Sequence, residues 1–151
     1  MSTGHFHIIL ADDDMDDCML LENVLNEFPL SIQLSIVHNG EQLMQQLNKN
    51  QKHLPDLLFL DLNMPRKNGF ECLTEIKKNE NLKHLPVIII STSLEKDIVN
   101  LLYKNGAHYF VRKPNDFSQL KKVIHHALSK MIQTKISQPL NPHCSFWACN
   151  C

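Results

Sequence analysis

Asp61, Ser91 and Lys113 each follow or close a short apolar run, and so does the triplet Asp12-Asp13-Asp14. The runs are Ile8 to Ala11 before the triplet, Leu57 to Leu60 before Asp61, Val87 to Ile90 before Ser91, and Tyr109 to Arg112 before Lys113-Pro114. A carboxylate such as Asp61 can attack phosphorus to form an acyl phosphate. Alone it is a poor nucleophile toward a dianionic phosphoryl group, because like charges repel. A divalent cation removes that obstacle, and the acidic triplet supplies its anchorage. Mg2+ prefers oxygen ligands, keeps several waters and is usually held by one or two carboxylates plus a phosphate oxygen. Asp13 and Asp61 are the direct ligands expected of Mg2+ (or Mn2+), with the Asn63 carbonyl completing the set and Asp12 acting through water. Lys113 can place a point charge on the remaining phosphate oxygens. Ser91 offers a rotatable hydroxyl for the phosphoryl group once it arrives.

These groups meet only if the runs are parallel neighbours. Short runs rich in β-branched residues, separated by helix-length amphipathic stretches, read as buried strands of a parallel sheet. In such sheets the site lies beyond the carboxyl ends of the strands. The first strand covers roughly His7 to Ala11, and Cys18, Leu21, Leu25 and Phe28 form one face of the helix after it. Ser31 to Val37 alternates apolar and polar residues, the pattern of an edge strand. Asn39-Gly40 turns the chain into a helix with Leu43, Met44 and Leu47 on one side. A third helix is expected from Phe70 to about Lys78. A fourth runs from about Leu94 to Asn105, where Asn105-Gly106 is a C-cap signature. A last helix starts at Asp116 or Phe117 and carries Leu120, Ile124, Ala127, Leu128 and Met131 on one stripe. Five βα units with one polar edge strand imply a flavodoxin-like, doubly wound (βα)5 three-layer sandwich with parallel strand order 2-1-3-4-5.

Composition narrows the classes. The 151 residues fit one domain and carry 15 basic against 16 acidic side chains, a formal charge of −1, so nothing points to a nucleic-acid partner. No apolar stretch has the length of a signal-peptide core or membrane span, and five cysteines lack framework spacing. The expected setting is the cytoplasm, away from membranes.

Bland readings explain part of the acidic stretch. Five of the six positions from 12 to 17 are aspartate. Asp16 and Asp17 read as solvated charge in a helix first turn, where the helix dipole favours carboxylates by about 0.3–1 kcal/mol. Asp14 reads as a cap or rim residue. An EF-hand loop opening at Asp12 would need glycine at its sixth position and glutamate at its twelfth, but Asp17 and Asn23 stand there. The nine histidines are scattered, and four glycines form neither a Walker A loop nor a dinucleotide fingerprint.

Taken together, Ile8 to Asp14, Leu58 to Pro65 with Asn68-Gly69, Ile90 to Ser93, and Gly106-Ala107 through Val111 to Pro114 resemble the receiver domain of two-component response regulators, over about residues 6 to 132. The resemblance implies that Asp61 accepts a phosphoryl group from a phosphohistidine on a sensor histidine kinase or histidine phosphotransfer protein. It also implies that Ser91 and Phe110 form a switch, Ser91 moving toward the phosphate and Phe110 turning inward. Ser91 stands where threonine is commoner in the family, with Thr92 beside it, and Phe110 lacks the phenol of the commoner tyrosine. Asn63 and Ser93 match positions that tune the acyl phosphate's lifetime. The readout face for a downstream protein target would be the fourth helix, fifth strand and fifth helix, exposing Ser93, Lys96, Tyr103 and Lys104. Stand-alone receivers of this length resemble regulators paired with sensor kinases, phytochrome-type light sensors included.

Residues 1–132 are therefore expected to form the receiver and 133–151 a tail, flexible or docking Phe146 and Trp147 on a second subunit of a homodimer, with no effector domain. His143, Cys144, Cys149 and Cys151 match no paired zinc-knuckle spacing, and Ala148 stands where prenylation needs cysteine. Two other classes compete with the phosphoacceptor, which is not itself a multiple-turnover enzyme. A phosphoaspartyl phosphatase of the haloacid dehalogenase type would want Asp-x-Asp after its first motif strand, whereas Asp61 is followed by Leu62-Asn63. A phosphate-independent pseudo-receiver adaptor would not need Asp13, Asp61 and Lys113 together.

Overall fold

The computed structural model describes residues 6–92, 96–107, 109–113 and 117–136. Its elements alternate strictly: β1 (Phe6–Ala11), α1 (Met15–Asn26), β2 (Ile32–Val37), α2 (Gly40–Lys49), β3 (Leu57–Asp61), α3 (Gly69–Lys78), β4 (Val87–Ser91), α4 (Lys96–Lys104), β5 (Tyr109–Arg112) and α5 (Phe117–Ile136). All strand pairs are parallel and the order is β2-β1-β3-β4-β5, as expected from the sequence. The half-polar β2 is an edge strand. Ser93 and the tail from residue 137 lie outside the described residues, as does the Met131 side chain. The fifth helix continues four residues past the expected boundary at 132.

Alternation along each central strand divides the core in two. Ile9, Ala11, Leu58, Leu60, Ile89 and Phe110 face α2, α3 and α4, while Ile8, Leu10, Leu57, Phe59, Ile88, Ile90 and Val111 face α1 and α5. Both faces must be covered because every residue of β3 and β4 is buried. Burying one such aliphatic side chain is worth about 1.5–3 kcal/mol, so the paired helix layers follow from the all-apolar strands.

Caps fix where the helices begin. The Asp14 carboxylate accepts from the N–H groups of Asp16 and Asp17, so α1 starts directly beyond β1. Asn39 caps α2 through Gln42 N. Asn68 and Glu71 form a reciprocal capping box at α3. Gly69 packs so tightly that a Cβ there would lie 2.3 Å from the Asp61 carbonyl oxygen. The third helix is thereby seated against the end of β3.

Candidate functional site

Strand register brings the chemistry to one rim. Ala11 pairs with Leu60, which sets Asp12 beside Asp61, and Asp61 pairs with Ile90, next to Ser91. The Lys113 N–H then donates to the Ser91 carbonyl at 2.8 Å, tying the ends of β4 and β5 together. Asp12, Asp13 and Asp61 each place a carboxylate oxygen within 4.8 Å of the others. Asp12 and Asp61 are buried and Asp13 is exposed. Three hard oxygen donors at that spacing, two of them desolvated, fit a divalent cation that retains part of its water shell.

Lys113 is the counter-charge of the site. Its ammonium lies 2.8 Å from Asp12 Oδ2, 2.8 Å from Asp17 Oδ2 and 3.7 Å from Asp61 Oδ2. Burial acts to lower its pKa, but the bonds to Asp12 and Asp17 and the Asp61 charge outweigh that and hold it above the ordinary lysine range. For Asp61 the balance runs the other way. Burial pushes its carboxyl up to about 7; Lys113 opposes this, Asp12 adds to it, and the Asn63 N–H, 3.3 Å from Asp61 Oδ1, opposes it. The acid pocket thus holds more negative charge than one lysine neutralises.

The arrangement corrects two readings and refines others. Asp16 is exposed, as a solvated first-turn charge should be, but Asp17 is not such a residue: it is half-buried and paired with Lys113. The Asp14 cap turns the third position of α1 toward the sheet, and that cap was the available clue. Asp14 itself is the N-cap, within the range expected of it. Ser91 is fully buried at the end of β4 while Thr92 is exposed. Asn63 is exposed at the rim.

Tyr103 is the second correction. Rather than standing exposed on the readout face, it packs edge-on against Phe110 with ring centroids 4.5 Å apart. Phe110 is already fully buried, so no outward position is seen for it here. Lys96 and Lys104 are exposed as expected. The sequence also gave no sign of His38, whose Nδ1 lies 3.2 Å from the Asp12 carbonyl oxygen and braces the loop after β1. Among the described residues, no helix is long and apolar enough to cross a membrane.

Known proteins share this architecture. Residues 8–125 match the family model of the response regulator receiver domain. The chain is 31% identical over 131 residues to the response regulator Rcp1 of Synechocystis sp., covering 84% of this chain and 89% of Rcp1. It is 29% identical over 132 residues to the two-component response regulator ARR17 of Arabidopsis thaliana, covering 82% of this chain and 85% of ARR17. The phosphorylated cyanobacterial phytochrome response regulator RcpA superposes with a TM-score of 0.81 at 30% identity, over 87% of this chain and 96% of that one. The Mn2+-bound form of Rcp1 superposes with a TM-score of 0.76 at 31% identity, over 82% and 92% of the two chains.

Proposed function

The chain belongs to the response regulator receiver-domain family of two-component signalling, and from that premise we propose that it is a single-domain regulator whose Asp61 takes a phosphoryl group from a phosphohistidine. The observation that carries this reading is the meeting of Asp12, Asp13 and Asp61 within 4.8 Å, with the Lys113 ammonium against Asp12 and 3.7 Å from Asp61. In the transfer, an Asp61 carboxylate oxygen forms a bond to phosphorus as the P–N bond of the donor breaks. The bonding pair leaves with the imidazole nitrogen, which takes a proton from solvent. Lys113 stabilises charge on the phosphoryl oxygens, and the Ser91 hydroxyl donates to the acyl phosphate. Asp12, Asp13 and Asp61, with the Asn63 carbonyl, would hold Mg2+. When bound, that ion neutralises charge between carboxylates and phosphoryl oxygens.

Readout follows from what the phosphate adds: up to two negative charges and strong acceptor oxygens at the end of β3, beside the end of β4. Ser91 and Lys113 gain partners there, and the paired Phe110 and Tyr103 rings link β5 to α4. Ile98 and Leu101 are exposed on α4, 39% and 48%, giving the α4–β5–α5 face apolar surface for a protein target or a second copy of the chain. A sensor histidine kinase or phosphotransfer protein is the phosphate source, in the cytoplasm. The relatives whose names record phytochrome response regulators support a phytochrome-type sensor as the input. Asn63 and Ser93 would set the lifetime of the acyl phosphate.

Incubation with acetyl phosphate and Mg2+ tests the chemistry. Intact mass should rise by about 80 Da, with no gain in Asp61→Asn and none in chelator. Lys113→Ala should still accept phosphate but lose phosphate-dependent partner binding. Repeated turnover of a generic phosphoester would instead indicate a phosphatase, and unchanged mass a pseudo-receiver.

A further inference from the structure

Lys113 has one more anionic partner than phosphoryl chemistry at Asp61 requires. Asp17 stands outside the three-carboxylate cluster, yet its Oδ2 is as close to the ammonium, 2.8 Å, as that of Asp12. It is held in place on α1 by the bond from its own N–H to Asp14 Oδ1. A mainly apolar cavity of about 40 Å3, with Leu10, Leu21 and Ile90 in its lining, adjoins Asp12, Asp17 and Lys113. The Lys113 side chain is only 12% exposed, and an ammonium carried so far out of water must have an anion beside it. Two of its three carboxylates, Asp12 and Asp61, are also those a dication needs.

We propose that Asp17 is a positioning residue: it draws the Lys113 ammonium to the α1 side of the acid pocket and so releases the Asp12 and Asp61 carboxylates to a divalent cation. This rests on the cation site proposed above. With Asp17 present, Lys113 keeps a partner when a cation arrives. Without it, the ammonium has only Asp12 and Asp61, and the cation must displace it from both.

The test is Mn2+ binding to the full chain in the absence of any phosphodonor, read as free Mn2+ by electron paramagnetic resonance. Asp17→Asn should weaken binding about tenfold, the scale of one charge-assisted hydrogen bond that must then be broken. Asp17→Glu, which keeps the charge, should stay within about threefold of the parent. Asp16→Asn removes an adjacent but exposed charge and should change affinity less than about twofold, because water and salt screen it. In a Lys113→Met background, Asp17→Asn should also do less than about twofold, since no ammonium is left to hold. Equal losses in Asp16→Asn and Asp17→Asn, or an undiminished Asp17→Asn effect without Lys113, would overturn the positioning role. A parent chain that binds no Mn2+ would instead sink the cation site itself, and the role of Asp17 with it.

Discussion

Replacing Asp61 with asparagine should stabilise the metal-free protein. The carboxyl is buried beside Asp12, and its pKa is pushed from the ordinary 3.8 up to about 7, mainly by desolvation. The unfolded chain ionises this group freely, whereas the folded chain resists doing so. Stability contributed by the site is therefore full below about pH 4, is lost as pH rises toward 7, and stays lost above that. At about 1.4 kcal/mol per pH unit, the penalty at pH 8 approaches roughly 4 kcal/mol as an upper bound, and at pH 5 less than half of it remains. Asparagine is nearly isosteric, cannot ionise and keeps an oxygen for the Asn63 N–H. Urea unfolding in chelator should place Asp61→Asn above the parent by about 2–4 kcal/mol at pH 8, with the gap narrowing toward pH 5. Saturating Mg2+ should reverse the order, because only the parent keeps the full ligand set and gains by mass action. A variant no more stable than the parent at pH 8, or a gap that ignores pH, would refute the view that the pocket is strained by its own charge.

Two further substitutions probe how the fold supports that pocket. Gly69→Ala should cost about 2–3 kcal/mol and slow phosphoryl uptake, because the new Cβ would meet the Asp61 carbonyl oxygen at 2.3 Å and Leu62 Cα at 2.8 Å, backbone atoms that cannot rotate away; unfolding curves and the rate of mass gain with acetyl phosphate measure the two effects. Lys77 donates to the carbonyls of Lys83 and Leu85 while burial pushes its amine down to about 8. Relative to Lys77→Met, the parent should therefore gain of order 1 kcal/mol between pH 8 and 10.5, where the folded chain has already shed the proton that the unfolded chain still holds. An unchanged difference over that interval would show that the two carbonyl bonds fully compensate the burial.

Much of this molecule was readable one segment at a time. The runs at Ile8 to Ala11, Leu57 to Leu60 and Val87 to Ile90 announce doubly covered strands because their side chains are apolar on both faces. The alternation at Ile32 to Val37 announces an edge for the converse reason. Those patterns depend on periods of two and 3.6 residues, which the backbone imposes locally. Once the strands are parallel, their carboxyl ends must share one rim, and that rim is where Asp12, Asp13, Asp61 and Lys113 meet. Element limits were less legible: Phe6 joins β1 and α5 continues to Ile136, since the last residue of an element is decided by neighbours and caps.

Sequence alone determined the strand order and the rim at which Asp12, Asp13, Asp61 and Lys113 gather, because hydrophobic period and residue chemistry are properties of short segments. Tertiary structure decided which carboxylates hold Lys113, since Asp12 and Asp17 lie 101 and 96 residues from it along the chain. It also decided that Tyr103 turns inward onto Phe110, that His38 braces Asp12, and that Asp61 resists ionisation. Each of these depends on which groups face one another and how much water separates them. Only the packed protein defines those quantities.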